Sequence, residues 1–173
     1  MDTSLALRCI IEALKQIRSQ RYFNSERGFG GQLQANLERL LKENNVIPDE
    51  AIVEEEYQKR KDDHNMTYRP DIIVHIPFEA GLTRTRKEGN FIAFELKLRA
   101  NEKAASYVFD KLSTYLKKLN YELGIFVNIS GEKPFIELTE NDKIHVFSAI
   151  WNNQEVSVTH SYLSDQEKVT ERV

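Results

Sequence analysis

Apolar residues recur every three to four positions in two stretches near the start of the chain, which predicts two amphipathic helices. The first spans residues 3–19, with a stripe of Leu7, Ile10, Ile11, Leu14 and Ile17. The second runs from Asn24 to about Asn44, with a stripe of Phe29, Leu33, Leu37, Leu40 and Leu41. The run Asn24-Ser25-Glu26 offers a capping residue and an acid in the first turn, which favours a helix start there.

After Pro48 the apolar positions alternate with polar ones, as is typical of strands. Strands are predicted over residues 51–58, 71–76 and 91–98, separated by connections at 60–66 and 77–90. A helix is then predicted over residues 102–120, followed by strands at 124–129, 143–150 and 155–162 and a flexible polar tail at 164–173. The run at 124–129 is apolar except for Asn128, which indicates a strand buried on both faces. No linker divides these elements, so we expect one domain, 1–173.

Length and composition agree with one domain, since the chain has 173 residues, 40% of them hydrophobic and 29% charged. The net charge of −3 decides nothing about nucleic acid, because a protein that binds nucleic acid needs only a local basic groove. No apolar run approaches the roughly 18 to 20 residues of a membrane span, and a signal peptide is not evident, so we expect a cytoplasmic protein without membrane association. A single cysteine, Cys9, excludes an intramolecular disulfide and a thiolate metal cluster.

Two acids and a lysine are expected to meet at one end of a hairpin. If strands 71–76 and 91–98 pair as antiparallel neighbours, a loop centred near residues 83 and 84 puts Asp71 opposite Leu96. Asp71 then lies beside both Glu95 and Lys97, which share one face of their strand because side chains alternate. The other face is wholly apolar and is expected to pack on a helix.

Two carboxylates so close together repel each other unless a cation lies between them. Mg²⁺ fits this role, because it prefers hard oxygen ligands and takes one or two protein carboxylates together with waters and a phosphate. A bound ion would lower the pKa of a coordinated water, and Lys97 could orient or deprotonate that water or screen the phosphate. The plainer alternative is a cross-strand salt bridge, worth about 0 to 1 kcal/mol if exposed.

The motif Pro70-Asp71 followed by Glu95-Leu96-Lys97 resembles that of the PD-(D/E)XK nuclease superfamily. The resemblance covers roughly residues 24 to 130 and includes the element order. It implies an α/β fold with a restriction-endonuclease-like core, in which helices flank a mixed central sheet (α-β-β-β-α-β), here with an extra N-terminal helix and C-terminal strands. It also implies that Asp71 and Glu95 bind Mg²⁺, or Mn²⁺ as a substitute, and that Lys97 is the catalytic lysine.

Two further residues are candidates by the same resemblance. Glu26 matches a glutamate that relatives present from the helix before the first strand, although it could be an ordinary first-turn acid. Lys111 occupies the glutamine position of a Gln-Leu-x-x-Tyr pattern in the helix after the third strand, where it could contact a phosphate or simply face solvent. Glu56 could also reach the metal, whereas His64 and His75 have no partner at metal-ligand spacing.

The resulting hypothesis is Mg²⁺-dependent hydrolysis of DNA, by a homodimer or with a protein partner that supplies specificity. One alternative is a catalytically inactive module that keeps the nuclease fold and binds or regulates within a larger nucleic-acid-processing or defence complex. Another is a structural interaction domain whose carboxylates pair with arginines such as Arg69 and Arg99.

Overall fold

A computed structural model describes residues 1–55, 69–77 and 88–173. Within these ranges seven strands form one sheet, and their order across the sheet is their order along the chain. The strands are β1 (Ile52–Glu55), β2 (Ile72–His75), β3 (Asn90–Leu98), β4 (Leu123–Ile129), β5 (Ile144–Asn152), β6 (Glu155–Ser164) and β7 (Glu167–Arg172). Strands β3, β4 and β5 are parallel, and the pairs on either side of them are antiparallel, so the sheet is mixed.

Three α-helices accompany the sheet in the described part of the chain: α1 (Thr3–Lys15), α2 (Glu26–Glu43) and α3 (Glu102–Leu119). Each begins at a side chain that accepts a hydrogen bond from a backbone N–H of the first turn. These capping residues are Asp2, Ser25 and Asn101. A helix with a satisfied first turn starts at a defined residue, which fixes where its first side chains lie.

The helices cover both faces of the sheet. On one face, Phe94, Leu96 and Val127 belong to a core that also contains residues of α1 and α2 such as Leu14 and Phe29. The opposite face packs on α3, through a second core that contains Ile73, Ala93, Phe109, Leu112 and Phe126. Every residue of β4 is buried, Asn128 included, as its almost wholly apolar sequence predicts. Full burial of each large apolar side chain stabilises the fold by about 1.5 to 3 kcal/mol.

Two expectations about the bounds of elements are corrected. Helix α1 ends at Lys15 rather than at 19, because the chain turns there, buries Ile17 and enters a 3₁₀ helix at Gln20–Asn24. The 164–173 stretch is not a tail, since Glu167–Arg172 form β7 and pair with β6. The predicted connection at 60–66, and most of that at 77–90, lie outside the described residues.

The hairpin of β2 and β3 is antiparallel, as predicted, but its register differs by one residue. Ile72 pairs with Phe94, and Ile73 pairs with Ala93. This register, continued by one residue beyond β2, puts Asp71 opposite Glu95 rather than Leu96. A register shift between Val74 and His75 accompanies the approach to the loop. Among the described residues, no helix is both long enough and apolar enough to cross a membrane.

Candidate active site

Asp71 is fixed at the entrance to β2 by the backbone of β3. Its N–H donates to the carbonyl oxygen of Phe94 over 3.0 Å. Its carboxylate oxygen Oδ2 accepts a hydrogen bond of 2.7 Å from the N–H of Leu96. The Asp71 carboxylate therefore accepts from the β3 backbone where a paired strand would offer a carbonyl oxygen. This hydrogen bond holds the carboxylate beside Glu95.

Glu95 is fully buried on the face of β3 that packs against α3. Its oxygen Oε1 accepts a hydrogen bond of 2.9 Å from the hydroxyl of Tyr115. Its oxygen Oε2 forms an ion pair with the ammonium of Lys111. Because Lys111 and Tyr115 are four residues apart, they lie on one face of α3 and reach the same carboxylate.

Both carboxyl groups have raised pKa values. Burial, together with the neighbouring Asp71 carboxylate, raises the pKa of Glu95 to about 7, although Lys111 and Tyr115 oppose the shift. Burial also raises the pKa of Asp71, against the hydrogen bond from Leu96 and the charges of Lys97 and Lys111. Both shifts mean that two ionised carboxylates are unfavourable in this largely buried site unless a further cation compensates their charge.

Lys97 and Glu26 form an ion pair close to the two acids. The Lys97 ammonium lies 3.2 Å from Oε2 of Glu26 and donates to the carbonyl oxygen of Leu96 over 2.6 Å. Oε1 of Glu26, in the first turn of α2, accepts from the N–H of Leu98 over 2.8 Å. Burial lowers the pKa of Lys97, but Asp71, Glu26 and Glu95 outweigh it, so the net shift is upward. Lys97 is therefore held as a charged ammonium beside the two acids.

A cleft of about 190 Å³ opens at this edge, lined by Glu26, Arg27, Gly30, Glu55, Asp71 and Leu96. A Cβ atom at Gly30 would lie only 2.8 Å from Oε1 of Glu55. Glycine at this position of α2 thus leaves room for the Glu55 carboxylate next to Asp71.

Glu55 is a cleft residue that the sequence interpretation missed, because it favoured Glu56. Residue 56 lies outside the described ranges, as does His64. The register pairs Glu55 with Ile72, one residue from Asp71, so the pairing of β1 with β2 is the signal that could have identified it. Glu54 points elsewhere and bonds His75, with 2.8 Å between Oε2 and Nε2.

The donor set suits a hard divalent cation. Asp71 and Glu95 offer carboxylate oxygens, as Mg²⁺ and Mn²⁺ prefer. In the described part of the chain no three His, Cys, Asp or Glu side chains group closely enough to hold a metal by themselves. An ion here would take two protein carboxylates and complete its shell with water, which is how Mg²⁺ is commonly held. All five candidate residues lie in this one network, Glu26 against Lys97 and Lys111 against Glu95.

The Tyr115 hydroxyl gives a test of this network by stability. In Tyr115→Phe, Oε1 of the buried Glu95 loses its donor, which is expected to lower the free energy of unfolding by about 1 to 3 kcal/mol. Urea denaturation followed by circular dichroism measures the loss. Tyr107→Phe is the matched control, because Tyr107 lies on the same helix and is 51% exposed. Equal losses in the two variants would mean that the buried hydrogen bond contributes nothing.

Comparison with known proteins supports the fold. The structure is similar to that of E. coli MS115-1 NucC in its cAAA-bound form, with a TM-score of 0.58 and 10% sequence identity, over 100% of this chain and 84% of that chain. No family model matches the sequence, and no curated protein matches it. The similarity extends to the fold, which is restriction-endonuclease-like, as the sequence predicts.

Proposed function

We propose that the protein hydrolyses phosphodiester bonds of DNA in a Mg²⁺-dependent reaction. The main support is that Asp71 and Glu95 adjoin at the end of the β2–β3 hairpin, where burial raises the pKa of both and repulsion from Asp71 raises that of Glu95 further. Two adjoining buried acids destabilise a fold unless a cation compensates their charge. The arrangement is understandable if the acids are kept to bind a cation.

Each residue then has a distinct role. Asp71, oriented by the N–H of Leu96, and Glu95 would supply the oxygen ligands. The bound ion would lower the pKa of a coordinated water and neutralise charge that develops on the phosphate. Lys97, held charged by its acidic neighbours, would face the scissile phosphate, and Glu26 would position Lys97 through their ion pair.

A second cleft, near the same end of the sheet, supports a nucleic-acid substrate. It measures about 610 Å³ and is lined in part by Lys15, Arg18, Trp151 and Arg172. Lys97 pairs with Asn128 and Asn128 with Ser148, so Trp151 lies only two strands away, near the end of β5. Two strand spacings are roughly 10 Å across the sheet, and the three residues from Ser148 to Trp151 add roughly 10 Å along β5. A DNA backbone leaving the acidic site would meet these cations.

Arg18 tests that path. In Arg18→Ala, DNA binding is expected to weaken for all sequences alike, and the dependence of log K on log salt is expected to become shallower by about 1, because one phosphate contact is lost. Fluorescence anisotropy at several salt concentrations gives both quantities. Arg8→Ala, at an exposed position on α1, is the control and should change neither. An unchanged slope in Arg18→Ala would exclude this path for the DNA.

The activity itself is tested with supercoiled, linear, nicked and branched DNA in Mg²⁺, in Mn²⁺ and in EDTA, with Lys97→Ala beside the wild type. We expect cleavage of at least one substrate that depends on the metal and on Lys97. The same panel run with added protein extract fractions, or at protein concentrations that favour a homodimer, tests whether a partner supplies specificity.

The pairing of Glu95 favours a second candidate function, a DNA-binding or regulatory module without catalysis. Both oxygens of Glu95 already have partners, Lys111 and Tyr115, so the buried acid is balanced without a metal. Binding of DNA without cleavage under every metal condition would favour the module over the nuclease.

A further inference from the structure

Lys111 and Tyr115 differ in how easily each could leave Glu95. The Tyr115 side chain is fully buried, and its hydroxyl points at Oε1 of Glu95. The Lys111 side chain reaches Glu95 from the rim and keeps 12% of its surface exposed. A second contact holds its ammonium 3.4 Å from the carbonyl oxygen of Arg69. Of the two partners of Glu95, Lys111 is therefore the one that can move away from it.

The Tyr107 ring at the rim of the site provides an alternative contact for the Lys111 ammonium. The Lys111 ammonium lies 5.9 Å from the ring centre of Tyr107, which is half exposed on the next turn of α3 towards its start. Lysine carries its charge on a flexible four-carbon stem, so a change of rotamer moves the ammonium by several ångströms without moving the helix. The released charge would stay at the mouth of the site, where a phosphate would lie.

An ammonium and a divalent cation compete for one carboxylate oxygen, because like charges at that distance repel strongly where little water screens them. We propose that Lys111 is a built-in counter-ion of Glu95, and that a divalent cation binds only by displacing it towards the rim. This inference rests on the proposed function, since it assumes that Asp71 and Glu95 bind the ion. Lys111 is in this sense a regulator of metal affinity rather than a ligand.

Metal binding without DNA tests the proposal. Lys111→Met removes the charge and keeps the length of the side chain. Calorimetric titration with Mn²⁺ at about pH 8 is expected to give a dissociation constant for this variant at least tenfold below that of the wild type. Lys117→Met, an exposed position on the same helix, should match the wild type. The rise in Tm on adding Mn²⁺ should also be larger in Lys111→Met, because its metal-free form leaves Glu95 without a counter-charge.

The outcomes separate the inference from the function on which it rests. Equal Mn²⁺ affinity in the wild type and Lys111→Met would overturn the displacement of Lys111 and leave the metal site standing. Absence of Mn²⁺ binding in both would overturn the metal site, and the proposal with it. Binding by Lys111→Met alone would support the proposal and identify the wild-type site as locked. If Lys111→Met does not fold, Lys111→Gln, which also lacks the charge, is titrated under the same conditions with the same expectation.

Discussion

Glu95→Ala is expected to lower the rate of DNA cleavage by about a thousandfold or more. The substitution removes one of two carboxylate ligands, and a metal ion contributes several kcal/mol to stabilising charge in the transition state. A loss of about 4 kcal/mol corresponds to roughly a thousandfold in rate. Single-turnover cleavage of a labelled duplex in saturating Mg²⁺ measures the change.

Glu95 also neutralises Lys111 and accepts from Tyr115, so the alanine variant could lose activity by unfolding. Glu95→Gln separates the two effects, because its amide oxygen can still accept from Tyr115 while its charge is gone. We expect this variant to fold, by circular dichroism and thermal melting, and to be as inactive as Glu95→Ala. Glu102→Ala, an exposed acid at the start of α3, is the control. Substantial cleavage by folded Glu95→Gln would rule out Glu95 as a required ligand.

Lys97→Met is expected to lower cleavage by about a hundred- to ten-thousandfold while leaving Mn²⁺ affinity within a few-fold of the wild type. Positioned proton-transfer and charge-screening groups contribute rate factors of this size. Lys97 is not a ligand in this account, and its loss leaves both carboxylates in place. Cleavage rates and calorimetric Mn²⁺ titration of the same preparation separate the chemical step from metal binding.

Lys103→Met provides the comparison for Lys97, since Lys103 is exposed in the first turn of α3. It should cleave at the wild-type rate. If Lys97→Met lost metal binding together with activity, Lys97 would be acting on the structure of the site. If it kept full activity, the ion pair of Lys97 with Glu26 would be a structural salt bridge.

The faces of β3 were predictable because alternation along a strand depends on nothing outside it. Phe94 and Leu96 were expected to pack on helices, and both are buried against α1 and α2. The register of the hairpin was not predictable to one residue. It depends on the conformation of the connection at 77–90 and on the shift between Val74 and His75, and neither leaves a mark in the apolar pattern.

The site shows the same division between local and long-range information. Asp71, Glu95 and Lys97 were recognisable because strand spacing and a short motif place them together. The contact between Lys111 and Glu95 depends on the angle at which α3 crosses β3, so the sequence left open whether Lys111 faced a phosphate or solvent. Glu55 was missed because a shift of one residue along a strand moves each side chain to the other face of the sheet. Three acids in a row contain no alternation with apolar residues that would show which acid faces the cleft.

The proposed function depends most on whether one divalent cation contacts both Asp71 and Glu95. Crystals soaked in Mn²⁺, with diffraction recorded near the manganese absorption edge, locate that ion directly by its anomalous signal. We expect a peak about 2.0 to 2.2 Å from a carboxylate oxygen of each residue, with the Lys111 ammonium moved away from Glu95. A well-occupied Mn²⁺ elsewhere, with Lys111 still on Glu95 and Asp71 without a metal contact, would contradict the account.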